Sequence, residues 1–271
     1  MSLYVQETGP TNAPTIVFIH GGGVSGWMWQ PQIERLPDYH CLVPDLPEQG
    51  KSTDAGPFTI ASAAEQLADL IAERAHGGKA HVVGLSIGAQ VALALLAHAP
   101  ERVDRAILSS ALVRPIPGGK MFTPKVVALS YRWFMAPFNN NDWWIKLNMK
   151  YSAGVPDEYY PQFKQSFQEA TESGFSSLLV ENQRFRLPRG LEIVKVPTLV
   201  VSGQHEKGAM HQSMLDIAGV LPNAKAYEVH HPAKMSMAEE HNWSLTAPDL
   251  FTETVRAWLS SDPLPEALKA A

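Results

Sequence analysis

In His81-Val82-Val83-Gly84-Leu85-Ser86-Ile87-Gly88-Ala89, an apolar run of strand character ends at a serine with a glycine two residues to either side, and an Ala/Leu-rich helical stretch to Ala97 follows. A turn this tight holds its central residue in a strained backbone conformation. Side chains two positions away on either side would strike the neighbouring strand and helix. Gly84 and Gly88 meet that demand, so Ser86 is predicted to stand at the carboxyl end of the strand as a nucleophile. The rival readings are a glycine-rich turn that only packs, and a dinucleotide-binding turn. The latter needs Gly-X-Gly-X-X-Gly, and the third glycine is missing.

Strand and helix patterns alternate outward from this turn. Leu3 to Glu7, Thr15 to His20, Cys41 to Pro44 and Arg105 to Ser109 read as strands, the second with the β-branched apolar character of a buried one. Thr59 caps a helix with an apolar face of Ala63, Leu67, Leu70 and Ile71, ended by Gly77-Gly78. Beyond the middle of the chain the alternation resumes with strands at Val196 to Ser202 and Ala224 to Val229, and with helices at Ala209 to Leu221 and Pro248 to Ser260. Such alternation implies an α/β fold: a mostly parallel, doubly wound sheet of about seven strands, covered on both faces. Between Arg114 and Pro188 no comparable strand occurs and aromatic residues crowd in. Residues 114–188 are therefore expected to form a helical lid insertion, with Pro115, Pro117 and Gly118-Gly119 as its leading hinge, and 1–113 with 189–271 to form the core. The tail beyond Asp262 is expected to be loosely held.

The bulk numbers exclude several classes. With 271 residues, 45% hydrophobic and 18% charged, the chain can bury a large core and is not disordered. A net charge of −5 without a Lys/Arg run argues against nucleic acid as a partner. No apolar run reaches the roughly 18 residues of a membrane span, and Met1 to Pro14 has neither a secretory nor a transit pattern. The single cysteine, Cys41, forms no internal disulfide and fits a reducing compartment, so a cytoplasmic location is expected. Composition leaves the oligomeric state open.

A serine nucleophile needs backbone N–H groups directed at the oxygen that becomes negative. His20-Gly21-Gly22-Gly23, directly after a buried strand, is one source; Ile87, at the start of the helix after Ser86, is the other. With these two motifs the chain resembles the α/β-hydrolase superfamily, specifically its serine esterase and lipase-like branch, over nearly its whole length. The resemblance implies Gly22 as the first oxyanion donor, Gly23 as its neighbouring candidate, and a structural rather than catalytic His20. It also implies the chain order Ser, acid, His. Serine at the turn departs from the haloalkane dehalogenase and epoxide hydrolase branches, which carry Asp there. Glu48, in Pro47-Glu48-Gln49-Gly50-Lys51-Ser52, replaces the first glycine of the family's usual Gly-X-Gly-X-Ser.

The acid is then expected after the strand Thr198 to Ser202, where Gly203-Gln204-His205-Glu206 resembles the family's Gly-X-X-Asp turn with Glu206 in the acid place. Asp216 is the other nearby acid, and helix periodicity carries it away from the strand end. For the base, His241-Asn242-Trp243 before a helix that starts at Pro248 resembles the family's terminal pattern, in a loop about seven residues longer than usual. His231 is the reserve candidate, and His230 and His231 otherwise read as strand-end residues. His205 and His211 are six apart, not the four of a helical zinc pair, so no metal and no cofactor is expected. The expected partner is a small ester or acyl substrate in an apolar pocket built from Gly23, Trp27, Trp29, Trp133 and Phe134. Two alternatives remain: a non-catalytic small-molecule receptor on the same fold, and serine-triad lactonase, perhydrolase or carbon–carbon hydrolase chemistry.

Overall fold

A computed structural model describes residues 2–116, 118–231 and 234–271; Pro117, one of the expected hinge residues, lies outside the described residues. The described residues form one eight-stranded sheet. Its strands are β1 (Val5–Thr8), β2 (Thr15–Ile19), β3 (His40–Pro44), β4 (Ala80–Leu85), β5 (Val103–Ser109), β6 (Thr198–Gly203), β7 (Ala224–Val229) and β8 (Leu268–Ala270). The order in space is β1-β3-β2-β4-β5-β6-β7-β8. Neighbours from β3 to β7 pair in parallel, and β1 and β8 pair antiparallel at the two edges.

The eighth strand lies in the tail that was expected to be loose. Val229 pairs with Leu268, Glu228 with Lys269 and Tyr227 with Ala270, while Leu268 is buried. Three residues between a proline-rich stretch and the last alanine offer no alternation to read. Their placement comes from the open hydrogen-bonding edge of β7.

Helices cover both faces: α1 (Gln30–Glu34), α2 (Ile60–Arg74), α3 (Ile87–His98), α4 (Pro124–Ser130), α5 (Asp142–Asn148), α6 (Tyr160–Glu169), α7 (Glu172–Arg184), α8 (Ala209–Val220), α9 (Met237–His241), α10 (Trp243–Thr246) and α11 (Pro248–Ser260). The strand period of two divides each buried strand between two cores. Val17 and Ile19 of β2, Val82 of β4 and Val200 of β6 meet Leu67 and Ile71 of α2, Leu95 of α3 and Ile217 of α8. Ile16, Phe18, Val83, Leu199 and Val201 point the other way, to Ile33 of α1 and Phe251, Val255 and Trp258 of α11. α2 begins at the Thr59 cap, whose side chain accepts the Ser62 N–H.

The segment between β5 and β6 carries α4 to α7 with short 3-10 and π turns. Thr123, Asn141 and Thr171 cap α4, α5 and α7 by accepting the N–H of Val126, Trp144 and Gly174. These helices rest on the core through Ile145, Met149, Phe163 and Phe167 on one side of the sheet and Leu178 on the other. Each such buried side chain stabilises the docking by about 1.5–3 kcal/mol. Two polar ties add to them: Gln90 Nε2 donates to the Asn182 carbonyl at 3.1 Å, and the Ile60 N–H donates to Glu181 Oε2 at 2.9 Å.

Candidate active site

The strand order reverses direction at β2 and β4, where an open parallel sheet places its ligands outside the carboxyl ends. Ile19 of β2 lies opposite Gly84 of β4, so the glycine loop after β2 and the turn after β4 emerge side by side. Ser86 has φ 59° and ψ −120°, a left-handed conformation for a side-chain-bearing residue. The glycines around it are sterically obligatory. A Cβ on Gly84 would overlap the Gly88 carbonyl, and one on Gly88 would overlap the carbonyl oxygens of Ile19 and His20. The Ser86 N–H is held by the Ser109 carbonyl at 2.8 Å.

Gly22, Gly23, Ser86 and Ile87 line one cavity of about 380 Å³. Ile87 opens α3, so its N–H has no partner within the helix. In the glycine loop the Gly21 N–H is taken by Met28 Sδ at 3.3 Å. His20 is fully buried beneath it: Nε2 accepts the Leu46 N–H at 2.9 Å, so Nδ1 carries the proton and donates to the Gly21 carbonyl at 2.8 Å. Burial holds this imidazole below its ordinary pKa, which keeps it neutral.

Glu206 follows β6 and is buried. Its Oε1 meets His241 Nδ1 at 2.5 Å, while Oε2 accepts Ser110 Oγ–H at 2.6 Å and the Gly203 N–H at 2.8 Å. Burial opposes ionisation of Glu206. The facing His241 charge and these hydrogen bonds prevail and hold the carboxyl below its ordinary range. Burial likewise disfavours the imidazolium of His241, but the Glu206 charge and hydrogen bond outweigh it, so the His241 pKa is raised. His241 ends α9 and lines the same cavity as Ser86. His241 thus stands between the buried carboxylate of Glu206 and the cavity that Ser86 also lines.

The other candidates fall elsewhere. Asp216 is engaged by Arg114 at 2.5 and 2.8 Å on the surface. His230, just past β7, pairs with Glu228 of that strand, and His231 beside it is not among the residues that line the cavity. His205 faces Glu240 and His211 faces Glu228.

Of the five expected pocket residues, only Gly23 lines the cavity. Trp29 is fully buried between Phe18 and Phe251, since the 3-10 turn Gly26–Trp29 directs it into the core. Trp27 stacks on Tyr159 and donates from Nε1 to Ser166 Oγ at 2.9 Å, in the seam between the glycine loop and α6. Trp133 and Phe134 are 66% and 60% exposed, because the helical turn that carries them directs Met135, their neighbour, into the cavity. The apolar wall is instead Met28, Phe163, Phe167, Phe175, Leu178 and Leu179.

Two further residues bear on the site, Ser110, which the sequence did not single out, and Glu48, noted there only as a departure from the family's pattern. Ser110, with φ 54°, directly follows β5 and binds the acid; the pair Ser109-Ser110 after an apolar strand was the available signal. Glu48 has φ 62° where the family's glycine is usual, and its carboxylate accepts the Phe58 N–H at 2.8 Å and the Ser173 hydroxyl of α7 at 2.6 Å. Among the described residues no group of three His, Cys, Asp or Glu side chains is placed to hold a metal ion, and no helix is long and apolar enough to cross a membrane.

The sequence matches the alpha/beta hydrolase fold family over residues 14–240. It is 28% identical to carboxylesterase YbfK of Bacillus subtilis over 272 aligned positions, covering 94% of this chain and 83% of that protein. An AB hydrolase superfamily protein of Gibberella zeae is 27% identical over 264 positions, with the same shares covered. A thermophilic esterase from Thermogutta terrifontis superposes with a TM-score of 0.74 at 24% identity, over 96% of this chain and 93% of that one. An enol-lactonase from Burkholderia xenovorans does so with a TM-score of 0.71 at 23% identity, over 95% and 96%. At such identities the superpositions speak for the fold, and they agree with the family match. A parallel sheet with a serine turn after its fourth strand and a match spanning most of its length place this chain in the α/β-hydrolase fold family.

Proposed function

We propose that the protein is a serine hydrolase that cleaves an ester or related acyl bond of a small, mainly apolar molecule. Ser86 is the nucleophile, His241 the general base, and Glu206 the acid that orients it. The carrying observation is that His241, bound through Nδ1 to Glu206 at 2.5 Å, lines the cavity that holds Ser86. With the Nδ1 proton directed at Glu206, Nε2 is the free acceptor a base requires. Ser86 Oγ attacks the acyl carbon as its proton passes to Nε2. The oxyanion sits between the N–H groups of Gly22 and Ile87, each such donor commonly worth about 3–4 kcal/mol. His241 then protonates the departing alcohol, and water, activated by the same imidazole, releases the acid.

The 114–188 segment acts as the lid. Its Phe163, Phe167, Phe175, Leu178 and Leu179 form the apolar wall, and a cavity of about 380 Å³ suits a small substrate. Two carboxylates, Glu48 and Glu169, join the described lining, and no Lys or Arg does. That balance favours a neutral acyl group over an anionic one. A lactone ring opens by the same steps, so small neutral lactones belong to the candidate substrates. Buried Cys41, its thiol pushed up to about 12 by burial, fits a reducing cytoplasm.

The test is a fluorophosphonate probe with p-nitrophenyl butyrate turnover. Wild type should be labelled and active, and Ser86→Ala should be neither. A folded wild type that takes no label and turns over no ester would favour a non-catalytic receptor.

A further inference from the structure

Two carboxylate–imidazole pairs cross between the same two segments. The turn after β6 carries His205 and Glu206 side by side, and the end of α9 carries Glu240 and His241 side by side. Glu206 Oε1 meets His241 Nδ1 at 2.5 Å, and Glu240 Oε1 meets His205 Nδ1 at 2.5 Å. Each acid is thus bound by the other segment's imidazole. Glu240 also accepts the His205 backbone N–H at 2.9 Å and Gln204 Nε2–H at 3.3 Å. Its side chain is 2% exposed, against 57% for that of His205.

A carboxylate so buried costs stability unless its oxygens are satisfied, and here every described partner of the Glu240 carboxylate lies on the turn that bears the acid. The fit is close, since a Cβ on Gly203 would stand 2.9 Å from Glu240 Cβ. α9 has five residues, too few to hold a helical shape unaided. Its first turn is set by the Ser236–Glu239 capping box, and the turn that carries His241 is set by Glu240. The opposite side of α9 abuts Gly154, φ 62°, where a Cβ would overlap the Ala238 carbonyl, and Asn242 Nδ2 donates to the Ala153 carbonyl at 3.1 Å.

We infer that Glu240 is a positioning residue for the Glu206–His241 pair. By gripping the backbone and side chain of His205 it sets the distance between the acid-bearing turn and the base-bearing helix. It thereby fixes the end of α9 that carries His241. The inference rests on the proposed serine-hydrolase reading of the site. Misplacing a catalytic group by about 1 Å can cost about a hundredfold in rate.

The experiment compares Glu240→Ala, Glu240→Gln and His205→Ala with wild type in p-nitrophenyl butyrate kinetics and in the far-downfield proton NMR of His241 Nδ1–H. Glu240→Ala should lose about thirtyfold or more in kcat with KM changed less than about threefold, and its downfield signal should broaden or vanish. Glu240→Gln keeps an acceptor for the His205 N–H and should recover most of both. His205→Ala, at a largely exposed side chain, tests the clamp should Glu240→Ala fail to fold; it should lose about tenfold in kcat and shift the signal. Folded Glu240→Ala or His205→Ala with wild-type kcat and an unmoved signal would overturn the inference. The NMR signal needs no turnover, so it decides the positioning role even if the wild type hydrolyses no ester.

Discussion

Replacing Glu206 by Gln changes one atom, and the surroundings of that atom dictate the outcome. The Gly203 N–H and the Ser110 hydroxyl both donate to Oε2. The carboxamide oxygen is therefore drawn to the Oε2 place, and its NH₂ is left facing His241 Nδ1. Nδ1 must then accept, which puts the ring proton on Nε2, and a protonated Nε2 takes nothing from Ser86. Losing the correct tautomer in this way costs a triad about 10⁴ in kcat, or roughly 5.5 kcal/mol of barrier. The pH profile should move as well. The Glu206 charge raises the His241 pKa, so the acid limb of kcat/KM in the wild type should lie above about 6.5. In Glu206→Gln burial acts alone, and the residual activity should have its acid limb below the wild-type position. Hydrolysis of p-nitrophenyl butyrate from pH 5 to 10, normalised by active-site titration, reads both. A variant within tenfold of wild type at pH 8, or an unmoved acid limb, would remove Glu206 from the proposed triad.

Ser110→Ala should destabilise the fold by about 1.5–3 kcal/mol at pH 7, the range for a hydrogen bond to a buried charge. The folded pKa of Glu206 lies below its unfolded value, so the stabilisation is complete above about 4.3 and is lost as pH falls through the folded pKa. Urea midpoints should therefore converge as pH falls through the folded pKa of Glu206, and a deficit that stays constant from pH 7 down to the onset of acid unfolding would refute the assignment. Gly88→Ala drives a Cβ into the carbonyls of Ile19 and His20 and should cost at least about 2 kcal/mol in urea unfolding; wild-type stability would contradict the close approach. Between p-nitrophenyl butyrate and the anionic p-nitrophenyl hemisuccinate, kcat/KM should favour the neutral ester by about tenfold or more, equivalent to about 1.4 kcal/mol. Equal rates would show that Glu48 and Glu169 do not act on the acyl group.

What could be read from the sequence follows from how locally each feature is determined. The serine turn is written in consecutive residues, because the close approach of β4 and α3 admits only glycine at 84 and 88. β2 and β6 declare themselves by unbroken burial. Glu206 and His241 were named as candidates from chain order and terminal pattern, and the structure pairs them at 2.5 Å. Ser110 and Glu240 were not found, since their partners lie 96 and 35 residues away and depend on which strands and turns become neighbours. The pocket aromatics failed for a related reason. Composition signals that an aromatic residue will find apolar company, but Trp29 and Met28 are adjacent, and only the 3-10 turn decides that the first enters the core and the second reaches the cavity.

The glycine contacts that hold the serine turn are made against main-chain atoms, whereas the helices above the cavity meet it through interchangeable side chains. Main-chain contacts tolerate almost no drift, and side-chain contacts can be retuned one residue at a time. On the serine-hydrolase function proposed above, substrate range and bond-breaking chemistry are therefore separately adjustable in this molecule. Exchanging Phe163, Phe175 or Leu179 for other apolar residues should yield a series of enzymes with altered acyl preference and an unaltered nucleophile, which makes the covering helices the natural place to diversify a library.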